Sequence, residues 1–337
     1  MISLKQGDSN IRLCDIYIDG NMQGIWFHQK IKPEYRNVIE SVEPILKDTT
    51  FREKYNLSVK QISELVPAIE KEQIPEDDRL RKTYWKVKKA VEALSLTEMH
   101  VEDDRFEINL PEKRATFAHS IQITAPSGGG KTHFAKELLK RNWNLPKTQR
   151  RPVLYISNEA NIDSTLKELK KQRYVKLFYP LDVSDDSLEQ FIEESHGTKE
   201  DFYLKVKKEV DALPRNSIIC FDDQQDSEIN QTKVGGLQRL LDKMLRTGRH
   251  LGKSTITLNH LINSGYMGRQ LTSSVKWRVL FPRSSKHKIV RWLNERTDMP
   301  LSDARRLVSK IASESRWMAV HVHSPQAVVS EKYVKLL

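Results

Sequence analysis

Residues 125–132 read Ala-Pro-Ser-Gly-Gly-Gly-Lys-Thr, directly after the apolar-leaning run His119-Ser-Ile-Gln-Ile-Thr124. Few folds accommodate such a string. In a glycine-rich turn, successive backbone N–H groups can face inward and make a concave seat for an anion, which glycine permits without steric strain. The stretch Lys131 to Arg141 has helical character and aims its positive N-terminal end at the same anion. The spacing is that of the phosphate-binding loop G-x-x-x-x-G-K-[ST], with Ala125 standing where the first glycine is usual. That position only begins the turn, so a small alanine is tolerable there. The cradle is expected to run through Ala125, Pro126, Ser127, Gly128, Gly129, Gly130, Lys131, Thr132 and His133. In it, Lys131 reaches the β- and γ-phosphates of ATP, and the Thr132 hydroxyl ligates Mg2+.

From residue 105 onward, short apolar strands alternate with helical stretches. The strand candidates are 119–124, 152–157, 174–179, 217–221, 254–259 and 277–281. Runs of this kind predict an α/β domain over 105–337, with a mainly parallel sheet covered on both faces. Two further strands, Arg316–His323 and Ala327–Tyr333, flank Ser-Pro-Gln and predict a C-terminal β-hairpin. The strand Ser217-Ile-Ile-Cys-Phe221 ends in Asp222 and Asp223. Asp222 is the expected Mg2+ ligand, and Asp223 is placed to orient and deprotonate an attacking water. Between the lysine loop and these carboxylates lie two more strand candidates, a spacing that suits the RecA-like branch of P-loop nucleotide hydrolases. The strand 254–259 ends in Asn259, a polar residue able to report on the γ-phosphate. His260 is left open between a role in the site and a plain surface position.

The first hundred residues have a different texture. Residues 9–28 alternate apolar and polar around Asp19-Gly20-Asn21, which predicts a β-hairpin. Residues 34–95 read as helix in three pieces, broken near Thr49-Thr50 and around Pro67 and Pro75, with Ser58 a candidate cap. The last piece, Asp77 to Leu94, places Leu80, Tyr84, Val87, Val91 and Leu94 on one face. An α+β appendage over 1–104 is expected, serving oligomerisation or contact with DNA or an adaptor. A structural or oligomerisation role is preferred there over a DNA-reading helix-turn-helix.

Charge is where composition matters. The 337 residues carry a formal net charge of +11. Residues 243–294 contain no Asp or Glu but eleven Lys and Arg, which accounts for the entire excess. A polyanionic partner is implied, and Lys253, Lys276, Arg278 and Lys286 are candidates to hold nucleic-acid phosphates without reading sequence. No apolar run approaches the roughly 20 residues of a membrane span. The opening MISLKQGDSN lacks a basic-then-apolar leader, and two cysteines, Cys14 and Cys220, fit a reducing intracellular compartment.

Three segments together carry a family resemblance: ITAPSGGGKTHF (123–134), IICFDDQQ (218–225) and RTGRHLGKSTITLNHL (246–261). They resemble the FtsK–HerA superfamily of DNA-pumping ATPases. Within it the chain looks most like the poxvirus-type genome-packaging ATPases of large DNA viruses, virophages and Polinton-like elements. The likeness covers about residues 106–335, with Ala125 and Asn259 (usually glutamine) as departures. It implies a homo-oligomeric ring, usually of six subunits, with ATP and Mg2+ between neighbours, double-stranded DNA in the pore, and a capsid or adaptor protein as partner. It also implies an arginine acting in trans on the neighbour's γ-phosphate, for which Arg249 and Arg269 are the candidates, with Arg246 behind them. Other readings are a helicase or conjugative pump of the same fold, and a nucleotide-dependent DNA-binding or assembly protein with little hydrolysis. A small-molecule kinase fits least, because it leaves the basic segment unexplained.

Overall fold

The computed structural model describes residues 1–4, 6, 11–18, 21–29, 42–47, 49–71, 73–101, 106–110, 119–158, 167–169, 177–223, 230, 236–260 and 274–337. It divides into two compact units, one of Met1–Pro111 with Lys332–Leu336, the other of Glu112–Glu331 with Leu337.

In the first unit, strands β1 (Ile2–Ser3), β2 (Ile11–Ile18) and β3 (Asn21–Phe27) are followed by helices α1 (Glu43–Lys47), α2 (Thr49–Tyr55), α3 (Val59–Glu70) and α4 (Asp78–Thr97). Strands β4 (Glu98–His100) and β5 (Phe106–Asn109) complete its N-terminal part. The expected hairpin is β2–β3, paired from Ile11↔Phe27 to Ile18↔Asn21; its Asp19-Gly20 turn lies outside the described residues. The antiparallel sheet runs β1-β3-β2-β5. Ser58 caps α3 through a reciprocal box with Gln61, as its position suggested. Pro67 does not end the helix as expected, because α3 continues through it to Glu70. Ile62, Leu65 and Ile69 bury one stripe of α3 against Tyr84, Val87 and Val91 of α4, and that packing outweighs the hydrogen bond proline forfeits. The side chain of Leu94 lies outside the described residues.

In the second unit, β6 (Ser120–Thr124) leads to α5 (Lys131–Asn144), and β7 (Val153–Ser157) and β8 (Phe178–Asp182) follow. Helices α6 (Asp185–Ser195) and α7 (Lys199–Ala212) precede β9 (Ile218–Asp222); α8 (Leu237–Leu251) precedes β10 (Ser254–Asn259). After β11 (Trp277–Leu280) come α9 (Pro282–Thr297), α10 (Leu301–Glu314), β12 (Met318–His321) and β13 (Ala327–Ser330). The last strand, β14 (Tyr333–Leu336), belongs to the first unit and pairs antiparallel with β4.

The sheet of the second unit runs β13-β12-β11-β6-β10-β9-β7-β8. From β11 to β8 every pairing is parallel, and the expected C-terminal hairpin, β12–β13, is antiparallel. Strands β7, β9, β10 and β11 are buried along their whole length; β7 and β9 are apolar up to their last residue, whereas β10 alternates and buries Thr255 and Thr257 as well as Ile256 and Leu258. Of the strand predicted over 174–179, residues 174–176 lie outside the described residues, and the described strand runs Phe178–Asp182. It lies at the end of the sheet order, where Pro180 forfeits little. Helix α8 buries Leu237, Leu240, Leu241, Met244 and Leu245. Its Gly248 faces the Lys253 carbonyl so closely that a Cβ would sit 2.9 Å from that oxygen.

Candidate nucleotide site

The strand order decides where the motifs meet. Strand β6 is separated from the carboxylate strand β9 by β10, and the register aligns Ile123, Leu258, Asp222 and Ser157 in one row. The phosphate loop after Thr124, the aspartates after Phe221 and Asn259 all leave the sheet at its C-terminal edge, the usual ligand edge of an open parallel sheet.

The loop has the expected form. Gly128 (φ 70°) and Gly130 (φ 94°) occupy left-handed conformations open to glycine. At Gly129 a Cβ would come within 2.7 Å of the Ala125 Cβ and 2.9 Å of the Pro126 carbonyl, so the turn has no room for a side chain there. Ala125 is not among the residues with positive φ and is buried, which explains why alanine serves at the first motif position. Its N–H donates to the Asn259 carbonyl (3.2 Å), tying the loop to β10. Helix α5 starts at Lys131 without a side-chain cap, so its first N–H groups remain for an anion. Thr132 is half-buried and His133 exposed.

Lys131 is 6% exposed, and its ammonium donates to Nδ1 of His260 at 3.0 Å. A lysine can only donate, so Nδ1 carries the lone pair and the proton sits on Nε2. That Nε2–H lies 2.9 Å from Oδ2 of Asp223, while the lysine ammonium is 3.7 Å from the same oxygen. The imidazole therefore bridges the loop lysine and the second aspartate. Asp223 itself has φ 44°, a conformation uncommon for a residue with a Cβ. Its N–H reaches the Leu258 carbonyl (3.4 Å), and its carbonyl accepts from Asn158 Nδ2 (2.9 Å). Asp222 is buried, with Oδ2 accepting from the Tyr155 hydroxyl at 2.8 Å. Asn259 is buried too, with Thr257 Oγ1 at 3.4 Å from its Oδ1.

Two of these groups were not singled out from sequence, and a third, His260, was left open there. Tyr155 and Asn158 look like an ordinary strand residue and its trailing polar neighbour, and only the β7–β9 pairing brings them to the aspartates. The clue for His260 was its place directly after Asn259.

Among the basic candidates, the structure makes two corrections. Lys253 is buried, and its ammonium donates to the carbonyls of Val210 (2.8 Å) and Asp211 (3.3 Å) at the end of α7. Burial pushes its pKa down, yet carbonyls at a helix C-terminus favour the cation. Arg278 is 1% exposed, with its guanidinium 4.8 Å from the Trp292 ring centroid and its pKa lowered to about 9 by burial and then by Arg296. Neither side chain presents its charge at the surface. Lys286 is exposed on α9, and Lys276 is half-buried, its pKa lowered by burial and by nearby Arg249. Arg249 is exposed in the last turn of α8, which leads into the start of β10, at the edge of the sheet opposite the phosphate loop. Arg246 is exposed and paired with Asp242, and Arg269 lies outside the described residues.

Loop, strand order and aspartate pair together define a RecA-like P-loop NTPase fold. No protein-family profile matches the chain, and no curated protein matches it by sequence. Among solved structures it is similar to the genome-packaging NTPase of Sulfolobus turreted icosahedral virus 2 in complex with AMP, at 12% identity over 64% of this chain and 97% of that one, TM-score 0.40. It is similar to a KaiC-like protein of Pyrococcus horikoshii at 13% identity over 51% and 73%, TM-score 0.33. The cytoplasmic domain of the type VII secretion ATPase EccC of Thermomonospora curvata is similar at 13% identity over 70% and 28%, TM-score 0.36.

Proposed function

We propose that this chain is an ATP hydrolase that moves double-stranded DNA, a genome-packaging motor of the FtsK–HerA kind from a virus or mobile element. The observation that carries the hydrolase reading is the chain Lys131–His260–Asp223, set at the end of the strands beside the Tyr155-held Asp222. The residues fit a magnesium-bound triphosphate. Gly129 shapes a cradle that a Cβ would fill, the uncapped start of α5 offers N–H donors, and the Thr132 hydroxyl and Asp222 carboxylate are hard oxygen ligands. When bound, Mg2+ would neutralise charge on the phosphate oxygens.

The protein's own groups would do the rest. A triphosphate in the loop draws Lys131 from His260 to the β- and γ-phosphates. His260 keeps its Nε2–H on Oδ2 of Asp223, which leaves Oδ1 to take the proton of the attacking water. Tyr155 holds Asp222 from the other side, fixing the carboxylate that faces the metal position. Asn259, whose own carbonyl binds the start of the loop, is the group that would relay loss of the γ-phosphate into β10 and the basic segment behind it.

The DNA reading rests on the acid-free segment 243–294 and on the family resemblance. Of the DNA-contact candidates, exposed Lys286 and half-buried Lys276 remain after Lys253 and Arg278 are set aside, and Lys243, Arg249, Lys288 and Arg291 of the same segment are exposed beside them. The ring, with Arg249 or Arg269 acting in trans, and a capsid or adaptor protein as partner belong to the same reading. So does a reducing compartment, with which the two buried, unbridged cysteines accord. ATP turnover with and without duplex DNA tests the proposal, and stimulation by DNA is the expected result. Turnover that duplex leaves unchanged would move the reading to a nucleotide-dependent DNA-binding protein, and no turnover in either case would remove the enzyme. Displacement of a strand from forked but not blunt duplex would favour a helicase.

A further inference from the structure

We propose that the outward face of α4, in the first unit, is a second DNA-binding surface that grips duplex through its phosphates. From Arg79 to Val91 the helix contains no Asp or Glu but six cations: Arg79, Arg81, Lys82, Lys86, Lys88 and Lys89. At 100° per residue, Arg79, Lys82, Trp85, Lys86 and Lys89 fall on one side and Tyr84, Val87 and Val91 on the other. The burial follows that division: the second set has at most 1% exposure, and every residue of the first is exposed, Trp85 at 51%. Among the described residues no carboxylate pairs with Lys82, Lys86 or Lys89. Arg81 pairs with Asp78, at 3.1 Å. The Lys88 ammonium sits 5.9 Å from the ring centroids of both Tyr84 and Trp85, so the aromatic surface lies within the cationic field.

Such a face suits a partner with repeated charges. Neighbouring cations along the helix are separated by about 4–6 Å of axial rise, against one phosphate per ~1.7 Å of duplex axis. Several contacts can form without a fixed register, and Trp85 supplies a flat apolar surface for the sugar edge. A bilayer fits poorly, because Tyr84, Val87 and Val91 of α4 are spent on the core of the first unit and, among the described residues of the helix, Trp85 alone is a large exposed apolar side chain. None of these residues belongs to the nucleotide site or to segment 243–294.

The test uses the full chain without nucleotide and follows the anisotropy of a labelled duplex across a salt series. The variant Lys82→Gln/Lys86→Gln/Lys89→Gln should bind about tenfold or more weakly at low salt, with a log–log salt slope shallower by about 2.7, ~0.9 for each lost phosphate contact. The matching triple Lys→Arg variant should bind as the parent does, and ATP turnover measured without DNA should not change. Unaltered affinity and slope in the Gln variant would overturn this surface while leaving the motor reading in place. A parent protein that binds no duplex would end both. Equal binding to phosphatidylserine vesicles, lost in the same variant, would assign the face to a membrane and overturn the proposal.

Discussion

Lys131 has two claims on its charge: the His260–Asp223 pair that holds it in this structure, and the triphosphate proposed for the loop. Replacing it with alanine should lower kcat by about 100-fold or more, because a cation aimed at the transferring phosphoryl group is lost, while binding of duplex at low salt persists. Normal turnover in that variant would show that the phosphate site lies elsewhere. The bridge makes a distinct prediction for His260, where alanine should cut kcat about tenfold, the loss of one hydrogen bond to a charged group. KM for ATP should stay level or fall, since the lysine no longer has to leave a partner. Glutamine, which can both accept and donate, should recover part of the rate. An unaltered kcat in His260→Ala would reduce the imidazole to a surface group. Asp223→Asn should still bind nucleotide and stop hydrolysing it, and ordinary turnover would place the base elsewhere.

At the scale of elements, β12 carries a titratable group in the core. His321 is 4% exposed, its Nδ1 is 2.7 Å from the Pro325 carbonyl and its ring packs on Trp277. Burial first, with Lys276 and His323 adding repulsion, lowers its pKa to about 4. A folded value below the unfolded one, near 6.5, means the unfolded chain binds the extra proton. Stability is therefore whole above pH 6.5 and falls as the pH drops towards 4, by up to about 3 kcal/mol. The melting temperature of His321→Asn should fall less over that window than that of the parent, as followed by circular dichroism. Parallel curves would mean that other groups carry the acid sensitivity. The buried ammonium of Lys253 joins α7 to the start of β10 in a similar way. Lys253→Met keeps the stem and leaves two helix-end carbonyls without their donor, a loss of about 1–3 kcal/mol. An unchanged melting temperature would deny the cation that role.

For the whole molecule, the proposed ring predicts shared catalysis. Mixing Lys131→Ala chains into the parent protein at equal amounts should bring DNA-stimulated turnover below about half, because an inactive chain also idles its neighbours in a cyclic assembly. A strictly proportional decline would indicate independent subunits. Charge at this scale is easily misread. The acid-free stretch 243–294 carries the entire formal excess, yet two of its cations are buried in structural roles, while the basic face of α4 is masked in the total by acids elsewhere in the first unit. Summed charge says how much electrostatic attraction is available, and only burial says where it reaches solvent.

What the linear order of residues determined was local. A glycine run before Lys131, six short strand-like runs and a capping serine at 58 each specify backbone geometry through sterics and hydrogen bonding within a few positions. That was enough for a mainly parallel α/β domain, for the phosphate loop and for the carboxylate strand. Tertiary structure decided the rest, since it depends on which strands become neighbours. Inserting β10 between β6 and β9 brings His260 against Lys131 and Asp223. Pairing β7 with β9 turns Tyr155 into a support for Asp222. Packing also carries α3 through Pro67 and withdraws Lys253 and Arg278 from the surface. Side-chain chemistry can be read from sequence, but the distances that make it a site come from long-range contacts.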